Sequence, residues 1–457
     1  MIQKRYLVIY LIIALHGFIL SHLIFFPYPE FFIYPYLTDK GLLPYAQIFD
    51  QHFPGLLFLP INLHNLGMTD ETVARQWLIS IVILCQLLIY WVTYKISGSY
   101  KKATFACMFY LIWQPFLEGW VFWIDNFLPL FLIPAFYFSY MAAKTKDAKF
   151  DLFAAGFFMS LAILFKQVAI PLAGGLMVLF LYWRIKGILF YLIGLFTLLI
   201  ITGYYFFKLK VLSDIWFWAV EFNLTTFAKY GGKPPFISGV LRVFGVYSSI
   251  ILLLLSRERK LQILLAFFII GSFSGDLARF DFVHFQPSLP FVVIITSLYI
   301  DKFWRFKWAP ILTVWYLLVT LVWLVTFYKG HFNNRILFFD QETKQVAEKI
   351  KYLTQPGQEI YLFGPVPHIY QMSETIPAGR IFVFQFPWFM MDTEDKFVTV
   401  LKNDQPELIV RDRTVIIEGR PITEFARRID RYIELNYQVF DQIGNNEFLR
   451  RKTTYYD

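Results

Sequence analysis

The sequence predicts an α-helical polytopic membrane protein of about 11 transmembrane helices, followed by a small extracytoplasmic α/β domain. Three observations carry that reading. The 457 residues are 57% hydrophobic and only 16% charged, where a soluble domain usually carries about a quarter charged residues. Long apolar runs recur up to residue 328, and beyond residue 330 the composition turns polar. The positive charge is also unevenly placed. Residues 330–457 hold 16 Lys and Arg against 18 Asp and Glu, whereas the first 329 residues hold 26 against 15.

Eleven apolar segments follow one another at about 6–26, 77–97, 103–118, 121–142, 151–165, 168–184, 187–207, 239–256, 261–275, 286–300 and 309–328. Several are short for a bilayer core of about 30 Å, and two pairs (103–118 with 121–142, 151–165 with 168–184) read as tightly turned hairpins. The opening MIQKR and its apolar run superficially resemble a signal peptide. The run is long enough to span and no small-residue cleavage site follows, so it reads as an uncleaved first helix.

Basic residues set the orientation. With the N-terminus inside, the inner turns hold Lys4 and Arg5, then Lys95, Lys101 and Lys102, then Lys144, Lys146 and Lys149. Arg184 and Lys186, the group Arg257, Arg259 and Lys260, and the group Lys302, Arg305 and Lys307 continue the pattern. Outer loops hold far fewer, 208–238 being the richest. The positive-inside rule therefore orients this expected multi-pass protein of the plasma (cell inner) membrane. Its N-terminus is cytoplasmic, and an odd number of crossings leaves its tail extracytoplasmic.

In that tail, FDQETKQVAEKIKYL reads as an amphipathic helix ended by Pro356-Gly357, and EIYLFG and ELIVRD as buried strands. VPHIYQMSE starts a helix, RPITEFARRIDRYIELNY forms another, and short strands close the chain. In 208–238, SDIWFWAVEFNLTTFAKY reads as an interfacial helix whose Trp216 and Trp218 suit the headgroup level better than sugar stacking.

Several functions are excluded. The basic excess sits in short membrane turns rather than on an aromatic-interleaved face, so no nucleic-acid partner is expected. Cys85 and Cys107 lie inside apolar runs and imply neither disulfide nor metal site. No phosphate-binding G-x-x-x-x-G-K-[ST] loop, dinucleotide G-x-G-x-x-G, H-E-x-x-H or G-x-S-x-G occurs in a suitable context. An activated donor for group transfer must therefore arrive in the membrane.

The carboxylates Glu30, Asp39, Asp50, Glu118 and Asp125 all fall on the predicted outer side, near helix ends. Any one of them is as readily a solvated loop residue as a functional one. Asp125 is harder to dismiss, because WVFWIDNFLPLFLIP is apolar around it and a carboxylate there needs a cavity or a partner. Asp50 lies in FDQHFPG, before a Pro-Gly turn that fixes its aim. Lys166, Arg279 and His284 are cations or potential cations on the same side. Snorkelling to headgroups is the plain account of such cations; binding an anion, phosphate above all, is the sharper one. His16 and His22, in the first helix, read as packing histidines. A lipid-phosphate donor suits this mixture, with cations steadying the departing phosphate and a carboxylate deprotonating an acceptor hydroxyl.

The stretch GLLPYAQIFDQHFPG resembles the first outer loop of GT-C superfamily glycosyltransferases. The nearest branch is the bacterial protein O-mannosyltransferase, aminoarabinose-transferase and Rgt lipopolysaccharide-core type. Glu30 matches that loop's first acidic position, and Asp50 with Pro54 its later part. WIDNFLPLFLIP resembles the family's second acidic turn, which carries over to Asp125, and FAAGFFMSLAILFKQVAIPL the hairpin that carries over to Lys166. LARFDFVHFQPSLPF resembles the Arg/His segment before a late helix, and FGPVPHIYQMSE the outer tail domain. The order of all five is more telling than any one. The first acid is Glu rather than the commoner Asp, and a single proline follows Asp50, so the base is open between Glu30 and Asp50.

The resemblance implies an inverting transfer of a hexosyl or pentosyl group from a polyprenyl-phosphate sugar to a lipid, glycan or protein hydroxyl, on the extracytoplasmic face. Residues 1–329 would form the transmembrane glycosyltransferase domain with outer catalytic loop 27–76, and 330–457 the outer α/β domain. Glu30, Asp50 and Asp125 would be catalytic, Lys166, Arg279 and His284 would bind the donor phosphate, and Asp39 is read as a bystander. Metal dependence varies across the superfamily, so a divalent metal is possible and no ligand is assigned. The alternatives are a transporter or flippase of glycans or lipids, and a non-catalytic assembly protein. The charges gathered at one face and the lack of repeated halves speak against transport.

Overall fold

The computed structural model describes residues 2–273 and 279–452, with side chains from residue 7 onward. The Lys4 and Arg5 side chains, and residues 275–278 of the outer turn before Arg279, lie outside the described residues. The chain forms two compact units. One comprises Met1–Phe26, Thr72–Tyr205 and Gly232–Arg335, the other Pro27–Glu71, Phe206–Gly231 and Ile336–Asp457.

The first unit is a helical bundle, and the apolar segments read from the sequence are mostly helical within the described residues, Val121–Phe122 at the start of one of them being a short strand. Glu71–Ser97, Ile124–Lys144, Ile188–Lys208, Ile237–Leu255 and Ala309–His331 are long and apolar enough to cross a membrane. Leu7–His22 and Gln167–Tyr182 are shorter apolar helices. The protein is a multi-pass membrane protein.

Two helices mark the middle and the rim of this unit. Leu289–Phe303 is buried on every side from Leu289 to Tyr299, as the all-round apolar run LPFVVIITSLY requires of a central helix. Ala309–His331 is equally apolar, yet only Ala309, Thr320 and Phe327 are buried. An apolar helix left so exposed is suited to lipid.

Small residues bring two other helices together. A Cβ at Gly156, in Lys149–Phe165, would lie 2.1 Å from the Tyr191 carbonyl oxygen. One at Gly194, in Ile188–Lys208, would lie 2.1 Å from that of Phe153. Each glycine thus accepts the other helix's backbone, the close approach that small residues permit in membranes. Gly156→Leu is expected to destabilise the bundle by about 1–3 kcal/mol or more through overpacking, read as an earlier thermal transition in detergent. Gly174→Leu is the control, because no atom lies within 4 Å of a Cβ there.

The second unit is α/β. Its five-stranded sheet runs Tyr437–Ile443, Asn446–Arg451, Leu408–Arg411, Glu359–Phe363, Ile376–Pro377. The first two strands form an antiparallel hairpin joined antiparallel to Leu408–Arg411, and the remaining pairings are parallel. Leu408–Arg411 is buried throughout, and Glu359–Phe363 from its second residue on, as parallel strands covered on both faces are. Gln341–Leu353 starts where Asp340 caps it, its side chain accepting from the Thr343 amide at 2.8 Å.

The opening loop folds with this unit. Its short strand Ile48–Phe49 pairs parallel with Phe382–Val383. Trp218 stacks on Phe49, ring centroids 5.1 Å apart, and the Asn223 amide donates to the Gln51 carbonyl at 2.8 Å. The segment predicted to be an interfacial helix is helical, as Leu212–Trp216 continued by π-helical turns to Phe227. Two helices absent from the sequence reading are Glu30–Asp39 and Pro387–Asp404.

Candidate active site

Each unit holds one buried cluster built from residues that the sequence singled out. In the second unit the helix Glu30–Asp39 begins at Glu30 itself, and Tyr34, four residues on, lies on the same helical face. The Tyr34 hydroxyl donates to Asp50 Oδ2 at 2.7 Å. Asp50 directly follows the strand Ile48–Phe49, so pairing with Phe382–Val383 fixes its backbone. Its Oδ1 accepts from the His52 amide at 2.7 Å and lies 2.9 Å from His52 Nδ1. Tyr45 completes the turn, donating to the His52 carbonyl at 2.8 Å. The two hydroxyl and amide donors, with the adjoining imidazole, give Asp50 the company an acceptor-only carboxylate requires. Burial holds the Tyr34 phenol well above its ordinary value, so it stays a donor.

Glu30 differs. It is 5% exposed and its Oε2 has no hydrogen-bond partner. Burial pushes its carboxyl up to about 8, its own backbone amide opposes the rise, and the negative charge of Asp50 adds to it. Of two neighbouring carboxyls, one is pinned by partners and the other is poised near neutral pH. Asp39 is engaged elsewhere, with His64 Nδ1 at 2.7 Å and the Asn62 amide at 2.8 Å.

In the first unit Asp125 sits on the single 3₁₀ turn Ile124–Asn126, just ahead of the helix Leu128–Lys144. The Asn126 side-chain amide donates back to the Val121 carbonyl at 2.6 Å, and its backbone N–H donates to the Trp123 carbonyl at 3.1 Å. Lys166 occupies the break after Lys149–Phe165, where the backbone becomes extended (φ −153°, ψ 121°) before the chain turns into Gln167–Ala169. Lys166 Nζ donates to both Asp125 oxygens, at 2.7 and 2.8 Å. His284, on the 3₁₀ turn Phe282–Phe285, brings Nδ1 to 3.0 Å from Asp125 Oδ2 and 3.2 Å from Lys166 Nζ. Burial and the Lys166 charge lower the affinity of His284 for a proton, while Asp125 opposes them.

The structure therefore joins Asp125, Lys166 and His284 in one cluster and sets Glu30 beside Asp50 in another. Arg279 keeps different company: its Nε donates to Asp281 Oδ2 at 2.9 Å, and Lys233 donates to Asp281 Oδ1 at 2.5 Å. Lys166, Arg279 and His284, all proposed for phosphate, thus each lie against a carboxylate, with which an incoming phosphate would share them. Among the described residues no group of three or more His, Cys, Asp or Glu side chains is arranged to hold a metal ion. Sequence reasoning missed Tyr34 and His52. The helical spacing from Glu30 to Tyr34 was legible, but Pro35 inside the segment argued against a helix.

The fold has known counterparts. The chain superposes on ArnT from Cupriavidus metallidurans bound to undecaprenyl phosphate with a TM-score of 0.66, covering 98% of both chains at 14% identity. Against the same protein in its apo state the TM-score is 0.62 at 15% identity, again over 98% of each chain. These proteins belong to the GT-C superfamily. The chain has a GT-C fold. A more distant member agrees: the oligosaccharyltransferase AglB from Archaeoglobus fulgidus, in complex with an inhibitory peptide and a dolichol-phosphate, gives a TM-score of 0.54. The match covers 97% of this chain and 74% of AglB at 11% identity. No protein-family model matches the sequence, and no curated protein matches it significantly. The likeness is one of backbone architecture over almost the whole chain.

Proposed function

We propose that this GT-C protein transfers a sugar from a polyprenyl-phosphate carrier to an acceptor hydroxyl on the extracytoplasmic face, with inversion. Eleven crossings would leave the N-terminus in the cytoplasm and residues 330–457 outside. The bond from the anomeric carbon to the carrier phosphate breaks, and a bond from that carbon to the acceptor oxygen forms. The hydroxyl proton passes to a carboxylate, and the carrier leaves as polyprenyl phosphate. The chain-long likeness to structures holding undecaprenyl phosphate and dolichol-phosphate supports a lipid-phosphate donor.

The observation that carries the reading is the unlike pair Glu30 and Asp50. A general base works best with a pKa near the working pH. Glu30 meets that condition and keeps one oxygen unengaged. Asp50 has both oxygens occupied, so we assign proton removal to Glu30 and its electrostatic tuning to Asp50. Asp125 orients Lys166, and Lys166 with His284 would steady the leaving phosphate; Arg279 would act there only by exchanging its bond to Asp281.

A pH profile of the transfer rate tests this division. Glu30 must be ionised to accept a proton, so the rate should climb as pH rises and level off above about 8. Asp50→Asn removes the like charge and should move that limb to lower pH. A limb unmoved by Asp50→Asn, or a rate falling as pH rises through 8, would contradict the assignment.

A further inference from the structure

His284 reaches Asp125 and Lys166 from a turn that is fastened at each of its neighbouring positions by residues outside the cluster. At Phe282 the Arg242 guanidinium lies over the ring, Cζ 4.1 Å from its centroid, and equally close to Phe116 on its other side. At Val283 the amide donates to Glu118 Oε2 at 3.3 Å. The Phe285 carbonyl accepts from the Tyr247 hydroxyl at 2.9 Å. Just beyond the turn, the Gln286 amide donates to the carbonyls of Gln114 and Leu117, at 2.9 and 2.7 Å.

These fastenings come from three elements. Arg242 and Tyr247 belong to the helix Ile237–Tyr247. The others lie at the end of Tyr100–Gln114 and on the π-helical turn Pro115–Gly119. That turn is unusual where it meets Val283. Glu118 adopts φ 56° and ψ 30°, left-handed backbone that a residue with a Cβ rarely takes. Gly119 cannot carry a side chain there, since a Cβ would lie 2.1 Å from Gln114 Nε2. Backbone of this kind persists only when surrounding contacts over-determine it. Here it delivers the Glu118 carboxylate to the residue preceding His284, and the Glu118 and Arg242 charges lie close enough to interact.

We propose that Glu118 and Arg242 are positioning residues: they hold the turn Phe282–Phe285 so that His284 keeps its contact with Asp125 and Lys166. The functional consequence rests on the reading that this cluster steadies the donor phosphate. Neither residue is assigned a contact with substrate. Arg242 reaches the turn over the Phe282 ring, and Glu118 acts through a backbone amide one residue from the imidazole.

The test reads His284 directly. The purified full-length protein in detergent is treated with diethyl pyrocarbonate, and the modification rate of His284 is followed by peptide mass mapping. Losing one hydrogen bond from the turn should release His284 more often, raising its rate about fivefold in Glu118→Ala. Glu118→Gln keeps an acceptor for the Val283 amide and should stay within about twofold of the parent. Arg242→Met, which retains much of the packing volume, should also raise the rate, and it supplies the answer should Glu118→Ala fail to fold. A His284 rate unchanged in folded Glu118→Ala and Arg242→Met would overturn the proposal, as would a Gln variant as fast as the Ala variant. Transfer kinetics separate this inference from the functional reading. An accelerated His284 reaction with an unchanged KM for a polyprenyl-phosphate sugar leaves the positioning role standing and removes the phosphate role.

Discussion

Glu30→Gln should lower the transfer rate by about 10²–10⁴-fold, the range that a positioned general base contributes, while the protein still inserts and purifies normally. Glutamine matches the carboxyl in shape and cannot take up a proton at working pH. Stability should move the other way. A buried carboxyl whose affinity for protons is raised from 4.5 to about 8 favours the folded state fully at low pH. That contribution is progressively lost as pH rises from about 4.5 and is gone above about 8, where the charge must be buried. Wild-type protein should therefore lose thermal stability across that window, and Glu30→Gln should show a flatter dependence. Loss of function combined with a gain in alkaline stability marks a strained functional carboxyl, whereas a residue serving only packing would lose both.

Lys166→Met should produce the largest loss of stability. Lys166 and Asp125 are 9% and 2% exposed and bonded through both carboxylate oxygens. Breaking such a buried pair from one side costs about 3–5 kcal/mol because the remaining charge is stranded. His284 is a further polar neighbour in the cluster and cannot replace an ammonium. Removing both charges, in Asp125→Asn with Lys166→Met, should recover most of the loss, since a neutral well-packed pair is often as stable as an ionic one. Unfolding temperatures of the two single variants and the double variant check this. If the double variant is as unstable as Lys166→Met, the pair is not what stabilises the bundle there. Transfer should be lost in all three, because the double variant restores stability without restoring a cation.

Much of this was legible in the chain because the bilayer imposes strict demands. Apolar runs had to be mostly helical, and within the described residues they are. Asp125 in an apolar stretch needed a cavity or a partner, and it has partners in Lys166 and His284. Other features were hidden for equally physical reasons. Pro35 sits inside Glu30–Asp39 and masks it. The strand Ile48–Phe49 is two residues long and gains its meaning from a partner more than 300 residues away, which local pattern cannot reveal. The choice between Glu30 and Asp50 was unreadable in the same way. Their difference lies in Tyr34 and His52, which engage Asp50 and leave Glu30 Oε2 without a partner, not in the identity of either acid.

The central claim is tested most directly in cells that express this chain. Extracytoplasmic glycans from cells carrying the parent chain, Glu30→Gln or no copy are compared by mass spectrometry. The account predicts that both the Glu30→Gln and the copy-free cells lack the same single sugar residue, present in the parent and linked with inversion relative to the carrier. Glycans identical in all three cells, or a full complement in Glu30→Gln cells, would contradict it.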